Sequence, residues 1–332
     1  MPPLYLTHQN AKIRIRKRRL LVELDGETLA HLPIGHVSEI VIFGNIGLTT
    51  PAIGRLLDEG IPVVFLRKDG RYRGQLQGSL TPHVPLRRAQ YRALERPELV
   101  LELAKSFVRA KLRHQRALLQ RHNRERNDPD IRAAIADVQA HLARLPNKTA
   151  LSSLRGLEGA ATAAYFRGLR RLFDPKWKFT DRNRRPPRDP VNVLLSFGYT
   201  LITNALHAAV QTVGLDPYVG FLHEVAYNRP ALALDLVEEF RPVVDGIVLW
   251  ACNSGQVTPE HFRSGPADRP IILEQEGKRR FLQAYETRMA QKFTHPRRGL
   301  RLPLRQCMIE QARQIANCLQ NDTPDFRGMG FR

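Results

Sequence analysis

Acidic side chains are scarce in this sequence. Only 32 Asp and Glu answer 52 Lys and Arg, which leaves a formal net charge of +20 over 332 residues. A field of that sign repels basic partners and attracts polyanions, nucleic acid first among them. Attraction is not chemistry, so binding and catalysis are separate questions. Cysteine is scarcer still. Cys252, Cys307 and Cys318 are an odd set without CxxC spacing, which argues against a disulfide framework and a cysteine-based zinc site and points to a reducing cytoplasm. Uninterrupted apolar runs are missing too. The most apolar stretch, Val191 to Leu215, is broken by Asn192, Ser196, Asn204 and His207, so it reads as a buried helix and not a membrane span. The start, Met1-Pro2-Pro3-Leu4-Tyr5, has neither the basic nor the apolar part of a signal peptide. Hydrophobic residues still make up 42% of the chain, enough for a core, and the length predicts two domains.

The pattern changes character along the chain. Residues 3 to about 80 are strand-rich: Lys12 to Arg16 alternates basic and apolar residues, and Leu20 to Leu24, Glu39 to Gly44 and Ile61 to Leu66 follow. Thr50 and Pro51 read as the cap and first residue of a short helix ending at Gly60. Asp69-Gly70 marks a hairpin, with Tyr72 to Leu76 returning. A linker is expected over 81–96. Beyond it the periodicity is helical: from Pro97, over Asp130 to Leu145, Thr149 to Phe173, Asp189 to Gly214, Leu232 to Phe240, Leu273 to Phe293 and Leu304 to Leu319. The tail after Gln320 reads as frayed. The fold class is therefore α+β, with a β-rich domain at 1–80 and a larger all-α domain at 97–332.

One carboxylate stands out. At about 100° per residue, Leu151, Leu154, Tyr165, Leu169 and Leu172 all fall within roughly 40° of Glu158. A carboxylate on an apolar stripe must be protonated, ion-paired or bound to a cation. A structural ion pair to an arginine and a metal site both meet that requirement. A second acidic group lies at Asp235, Glu238 and Glu239, where the first two share a helix face. It could be a solvated face, but a tight acidic cluster in so basic a protein conflicts with polyanion binding unless a divalent cation bridges the two. His223 ends an apolar turn just upstream. One imidazole with two carboxylates suits Mg²⁺ or Mn²⁺ better than a closed zinc site.

Between these segments runs a cationic stretch in which Arg167, Arg170, Arg171, Lys176, Lys178, Arg182, Arg184, Arg185 and Arg188 answer only Asp174 and Asp181. Phe173, Trp177 and Phe179 are interleaved. The expected role is phosphate contact on double-stranded or branched DNA, which carries no base code. A second basic zone runs from Lys278 to Arg305.

Longer motifs carry a resemblance. They include Pro3-Leu4-Tyr5-Leu6, Val41-Ile42-Phe43-Gly44-Asn45, Gly156-Leu157-Glu158-Gly159, Arg184-Arg185-Pro186-Pro187-Arg188-Asp189-Pro190, Gly220-Phe221-Leu222-His223 and Ala233-Leu234-Asp235-Leu236-Val237-Glu238-Glu239-Phe240-Arg241-Pro242. Over nearly its whole length the chain resembles the CRISPR-associated endonuclease of the adaptation module, the integrase that inserts new spacers. The resemblance implies an N-terminal β-domain that forms a homodimer and a helical catalytic domain. It implies Glu158, His223 and Glu238 as metal ligands, Asp235 near the metal, and a small ferredoxin-like second adaptation protein as partner. Three rivals stay in view: a transposase of a mobile element, a branched-DNA repair nuclease and a non-enzymatic DNA scaffold.

Overall fold

The computed structural model describes residues 2–76, 78 and 83–330. The chain divides into two compact units, Met1–Leu80 and Thr81–Arg332. In the first, β1 (Leu4–Leu6), β5 (Ile40–Phe43), β7 (Val63–Leu66) and β8 (Tyr72–Leu76) form one sheet in the order β1-β5-β7-β8. β2 (Lys12–Arg16), β3 (Arg19–Leu24), β4 (Glu27–Pro33) and β6 (Gly47–Leu48) form another in the order β4-β3-β2-β6. β5 lies parallel to both its neighbours, and all four of its residues are buried. That matches its unbroken apolar run. Ile13, Leu20 and Val22 from one sheet and Ile40, Ile42 and Val63 from the other meet in one buried cluster with Ala52 and Leu56 of α1 (Thr50–Asp58). Thr49, not Thr50, caps α1, accepting from the Ala52 amide at 3.4 Å. Sequence periodicity missed β4 because five of its seven residues, Glu27 to His31, alternate poorly and none of the strand is buried.

The second unit is helix-rich. α2 (Val84–Ala93) occupies most of the expected linker, so 84–93 is helical; Thr81 and Pro82 lie outside the described residues. Leu86, Gln90 and Ala93 are buried, and the Gln90 amide bonds the carbonyls of Asp216 and Val219. α3 (Pro97–Arg126) packs on α4 (Pro129–Arg144), α5 (Leu151–Arg170) and α7 (Ala231–Asn253). α6 (Pro190–Val213) has the length and hydropathy of a membrane span, yet it packs against α7 and against α9 (Leu304–Gln320). The unit is not purely helical. The pairs β9 (Phe262–Ser264) with β10 (Ile271–Leu273), and β11 (Lys292–Thr294) with β12 (Arg301–Pro303), flank α8 (Gln275–Ala290) as short ribbons.

Two corrections bear on the site. α7 does not stop at Phe240 but runs through Pro242 to Asn253. A proline inside a helix costs about 3 kcal/mol. Leu232, Leu236, Val237, Phe240, Val244 and Val248 are each fully buried along α7, and each such burial contributes about 1.5–3 kcal/mol, so packing wins. The tail over residues 321–330 is not frayed. Phe326 stacks edge-on against Phe107 of α3 at 5.1 Å, and Met329 is 3% exposed.

Candidate active site

Asp235 organises the site. It sits on α7 at 0% exposure, and its two oxygens accept from the amides of Phe221 (2.5 Å), Leu222 (3.0 Å) and His223 (2.9 Å) and from His223 Nδ1 (2.7 Å). The loop can wrap the carboxylate this closely because residue 220 is glycine: a Cβ there would stand 2.8 Å from Asp235 Oδ2. With Nδ1 committed to Asp235, Nε2 is the free ring atom, and it faces Glu238 Oε1 at 3.8 Å. Asp235 is therefore a positioning residue, with no oxygen left over for a ligand role.

Glu238 lies one turn further along α7, 4% exposed. Burial alone would raise its carboxyl, but the Arg241 guanidinium, the Lys111 ammonium and His223 outweigh burial and hold it far below the usual range. Arg241 Nε donates to Glu238 Oε1 at 2.9 Å while its guanidinium lies 4.8 Å from the centre of the Tyr199 ring. Tyr199 and Tyr165 both donate to Asp245, whose carboxyl burial lifts to about 6 against those two bonds. Glu239 turns away from this group. It accepts from Gln311 Nε2 at 2.7 Å and from the Met329 amide at 2.9 Å, and burial lifts it to about 7.

Glu158 comes from α5, where it interrupts the apolar stripe with its side chain 24% exposed. Lys111 of α3, buried, contacts Glu158 Oε1 and lies 2.6 Å from Glu238 Oε2. Burial lowers the Lys111 ammonium, and the two carboxylates more than restore it, raising it overall. Glu158, His223 and Glu238 line a cleft of about 270 Å³ with Arg155, Glu224 and Arg229.

Among the described residues, no three carboxylate, imidazole or thiol side chains converge tightly enough to enclose an ion. At this site the reason is visible: Lys111 fills the space between the acids. The donor set nevertheless fits a hard divalent cation, with two carboxylates and one oriented imidazole nitrogen. The ammonium stands in for that charge, and Glu238 Oε2 is a buried oxygen with no hydrogen bond of good geometry.

The cationic stretch is not one surface. Arg182 is spent on structure, donating to Asn192 and Ser196 and lying over Tyr199. Arg167 pairs with Asp137 at 2.6 Å, and Lys176 lies 3.7 Å from Asp174. Arg170 and Lys178 line a groove of about 790 Å³, while Arg184, Arg185 and Arg188 are exposed. Most of the second basic zone is internally paired, as in Arg279 and Arg280 with Glu276 and Arg305 with Glu286. Sequence reasoning missed Lys111 and Arg241. The signal for Lys111 was present: it follows Ala104 and Val108 at helical spacing on a buried face.

The family described as "CRISPR associated protein Cas1" matches residues 4–287. The CRISPR-associated endonuclease Cas1 1 of Thermus thermophilus is 42% identical over 319 residues, covering 95% of each chain. A solved structure of a "Cas6-RT-Cas1–Cas2 complex" superposes with a TM-score of 0.85 at 26% identity; the match covers 99% of this chain and 36% of that one, about a third of its length. A "casposase bound to integration product" gives a TM-score of 0.87 at 24% identity over 98% of this chain and 93% of that one, which shows a shared fold.

Proposed function

Because this chain belongs to the CRISPR-associated Cas1 family, we propose that it is a metal-dependent DNA endonuclease and integrase that joins short DNA fragments to a CRISPR array. In the joining reaction a 3′ oxygen forms a new bond to phosphorus and loses its proton. The displaced 3′ oxygen of the target strand takes up a proton as its bond breaks. Hydrolysis of branched DNA is the same displacement with water as nucleophile. Bound Mg²⁺ or Mn²⁺ would polarise the phosphate and offset charge developing on its oxygens. Glu158, Glu238 and His223 Nε2 would hold that ion.

The chain's own residues supply the rest. Asp235 keeps His223 in the tautomer whose Nε2 can donate a lone pair. Arg241 and Lys111 keep Glu238 ionised. Arg229, at the same cleft, is placed to take the phosphate of an incoming strand, while Arg155 ties the 222–224 loop to α5 through the Leu222 carbonyl and Glu224. Arg170, Lys178, Arg184, Arg185 and Arg188 extend this attraction along the duplex. The observation that carries the reading is that Glu158 and Glu238, from separate helices, share the Lys111 ammonium while His223 Nε2 faces Glu238 at 3.8 Å in the same cleft. The working assembly is a cytoplasmic homodimer through the β-rich unit, joined to a small ferredoxin-like second adaptation protein. A Cas1–Cas2 complex among the structural relatives supports that pairing.

The test is strand transfer of a short duplex with 3′ hydroxyl ends into a supercoiled plasmid carrying a leader and repeat, with the partner protein and Mg²⁺ or Mn²⁺. Joining should vanish with EDTA and in Glu238→Ala, with DNA binding retained. Cutting of branched DNA without joining would favour a repair nuclease; a Glu238→Ala variant at wild-type rate would refute the site.

A further inference from the structure

A second cleft in the helical unit shares no lining residue with the acidic one. It encloses about 430 Å³ between α3, α7 and α8, within the range of roughly 300–1,000 Å³ common for ligand pockets. We propose that it takes one unpaired nucleotide of a single DNA strand, base inward and phosphate at the rim. The choice of DNA as ligand rests on the proposed function; the site itself does not.

The walls argue for a flat apolar body. Leu118, Val243 and Ile247 line it beside Trp250, whose residue is 54% exposed although it lies on the most buried helix of the unit. A large exposed aromatic is a stacking platform for a base. Gly246 keeps the space open, since even a Cβ there would already touch Leu118 at 3.5 Å. The charge argues for an anion. Arg121 and Arg288 both reach the cleft, and among the described residues no acidic side chain lines it. Burial first, and Arg121 second, push the Arg288 guanidinium down, as expected where like charges share a partly desolvated space. His114 is held by the Glu239 and Met329 carbonyls and Thr287 by the Gln283 carbonyl, which leaves Gln291 at the exposed rim open to a base edge. Gln291 accepts from Arg288 through its oxygen, and among the described residues its amide nitrogen donates to nothing. An acidic peptide with an apolar anchor satisfies the arginines but offers no counterpart to the stacking face, so the nucleotide is favoured.

The protein carries its own reporter. Trp177 is 1% exposed and Trp250 is open, so an added ligand quenches the emission of Trp250 and leaves that of Trp177 as a constant background. The full-length protein would be titrated with a thymidylate tetramer in EDTA, so that no catalysis intervenes. Saturable quenching is expected, uncompeted by a blunt duplex of equal strand concentration. Arg121→Gln with Arg288→Gln should weaken it at least about tenfold, and Gly246→Leu should abolish it by filling the cleft; circular dichroism would confirm that each variant is folded. Absence of quenching overturns the proposal, as does quenching unchanged in the double arginine variant. So does displacement of the tetramer by an acidic leucine-containing peptide that itself binds more tightly, which would make the cleft a protein-docking site. Glu238→Ala should bind the tetramer as the wild type does. Loss of strand transfer with quenching intact would therefore count against the proposed function alone.

Discussion

Replacing Asp235 by Asn separates positioning from ligation. The wild-type carboxylate accepts four hydrogen bonds, three from the amides of Phe221, Leu222 and His223 and one from His223 Nδ1. An amide of the same shape keeps one oxygen. If that oxygen stays on His223, the new NH₂ faces the amides of Phe221 and Leu222, donor against donor. Two charge-assisted bonds worth about 1.5–3 kcal/mol each are then lost, so the loop should loosen by roughly 3–6 kcal/mol before relaxation. His223 keeps its bond to the remaining oxygen, but the loop that carries it loosens, so the ring loses its fixed orientation. Changes to residues that orient a ligand typically cost about 10–100-fold in metal affinity or activity. Asp235→Asn should therefore weaken Mn²⁺ binding by that factor in calorimetric titration and slow strand transfer to match. Glu238→Ala should show no resolvable site. A double-mutant cycle completes the argument: in a His223→Ala background, Asp235→Asn should change Mn²⁺ affinity little further. Wild-type affinity and rate in Asp235→Asn would refute the positioning role, and undiminished additivity with His223→Ala would make Asp235 a ligand in its own right.

Three further outcomes follow from the same geometry. Lys111→Met leaves Glu158 and Glu238 without their shared ammonium; the metal-free protein should lose about 3–5 kcal/mol in denaturant unfolding, and Mn²⁺ should raise its melting temperature by more than it raises the wild type's. Truncation after Gln320 removes Phe326 from Phe107 and the Met329 amide from Glu239, and should cost about 3–5 kcal/mol by analogy with deletion of a buried aromatic; an unchanged midpoint would show that the tail does not contribute. Arg184→Gln, Arg185→Gln and Arg188→Gln together should flatten the dependence of log K on log salt for duplex binding by about 0.9 per phosphate contact removed, without changing Mn²⁺ affinity.

Much of this molecule is local in origin. Alternation in Lys12 to Arg16, the unbroken Ile40 to Phe43 and the Asp189–Gly214 frame around an apolar helix specified their elements, because period, cap and C′ glycine act within a few residues. The acidic ligand candidates were legible for a related reason: Glu158 near an apolar stripe and Asp235–Glu238 in an acid-poor chain are anomalies of pattern, and longer motifs tied them to a family. What the sequence could not decide depends on partners distant in the chain. α7 outlasts Pro242 because the surrounding helices bury it, the tail is ordered by Glu239 and Phe107, and Arg182 turns inward to Tyr199 while its neighbours stay exposed. The division of labour among the acids is tertiary as well. Asp235, Glu238 and Glu239 are near neighbours on one helix, yet one holds a loop, one meets Lys111 and one anchors the tail. Helical rotation sends them to different surroundings, and only the packing of α3, α5 and the 217–223 loop against α7 determines what each surrounding is.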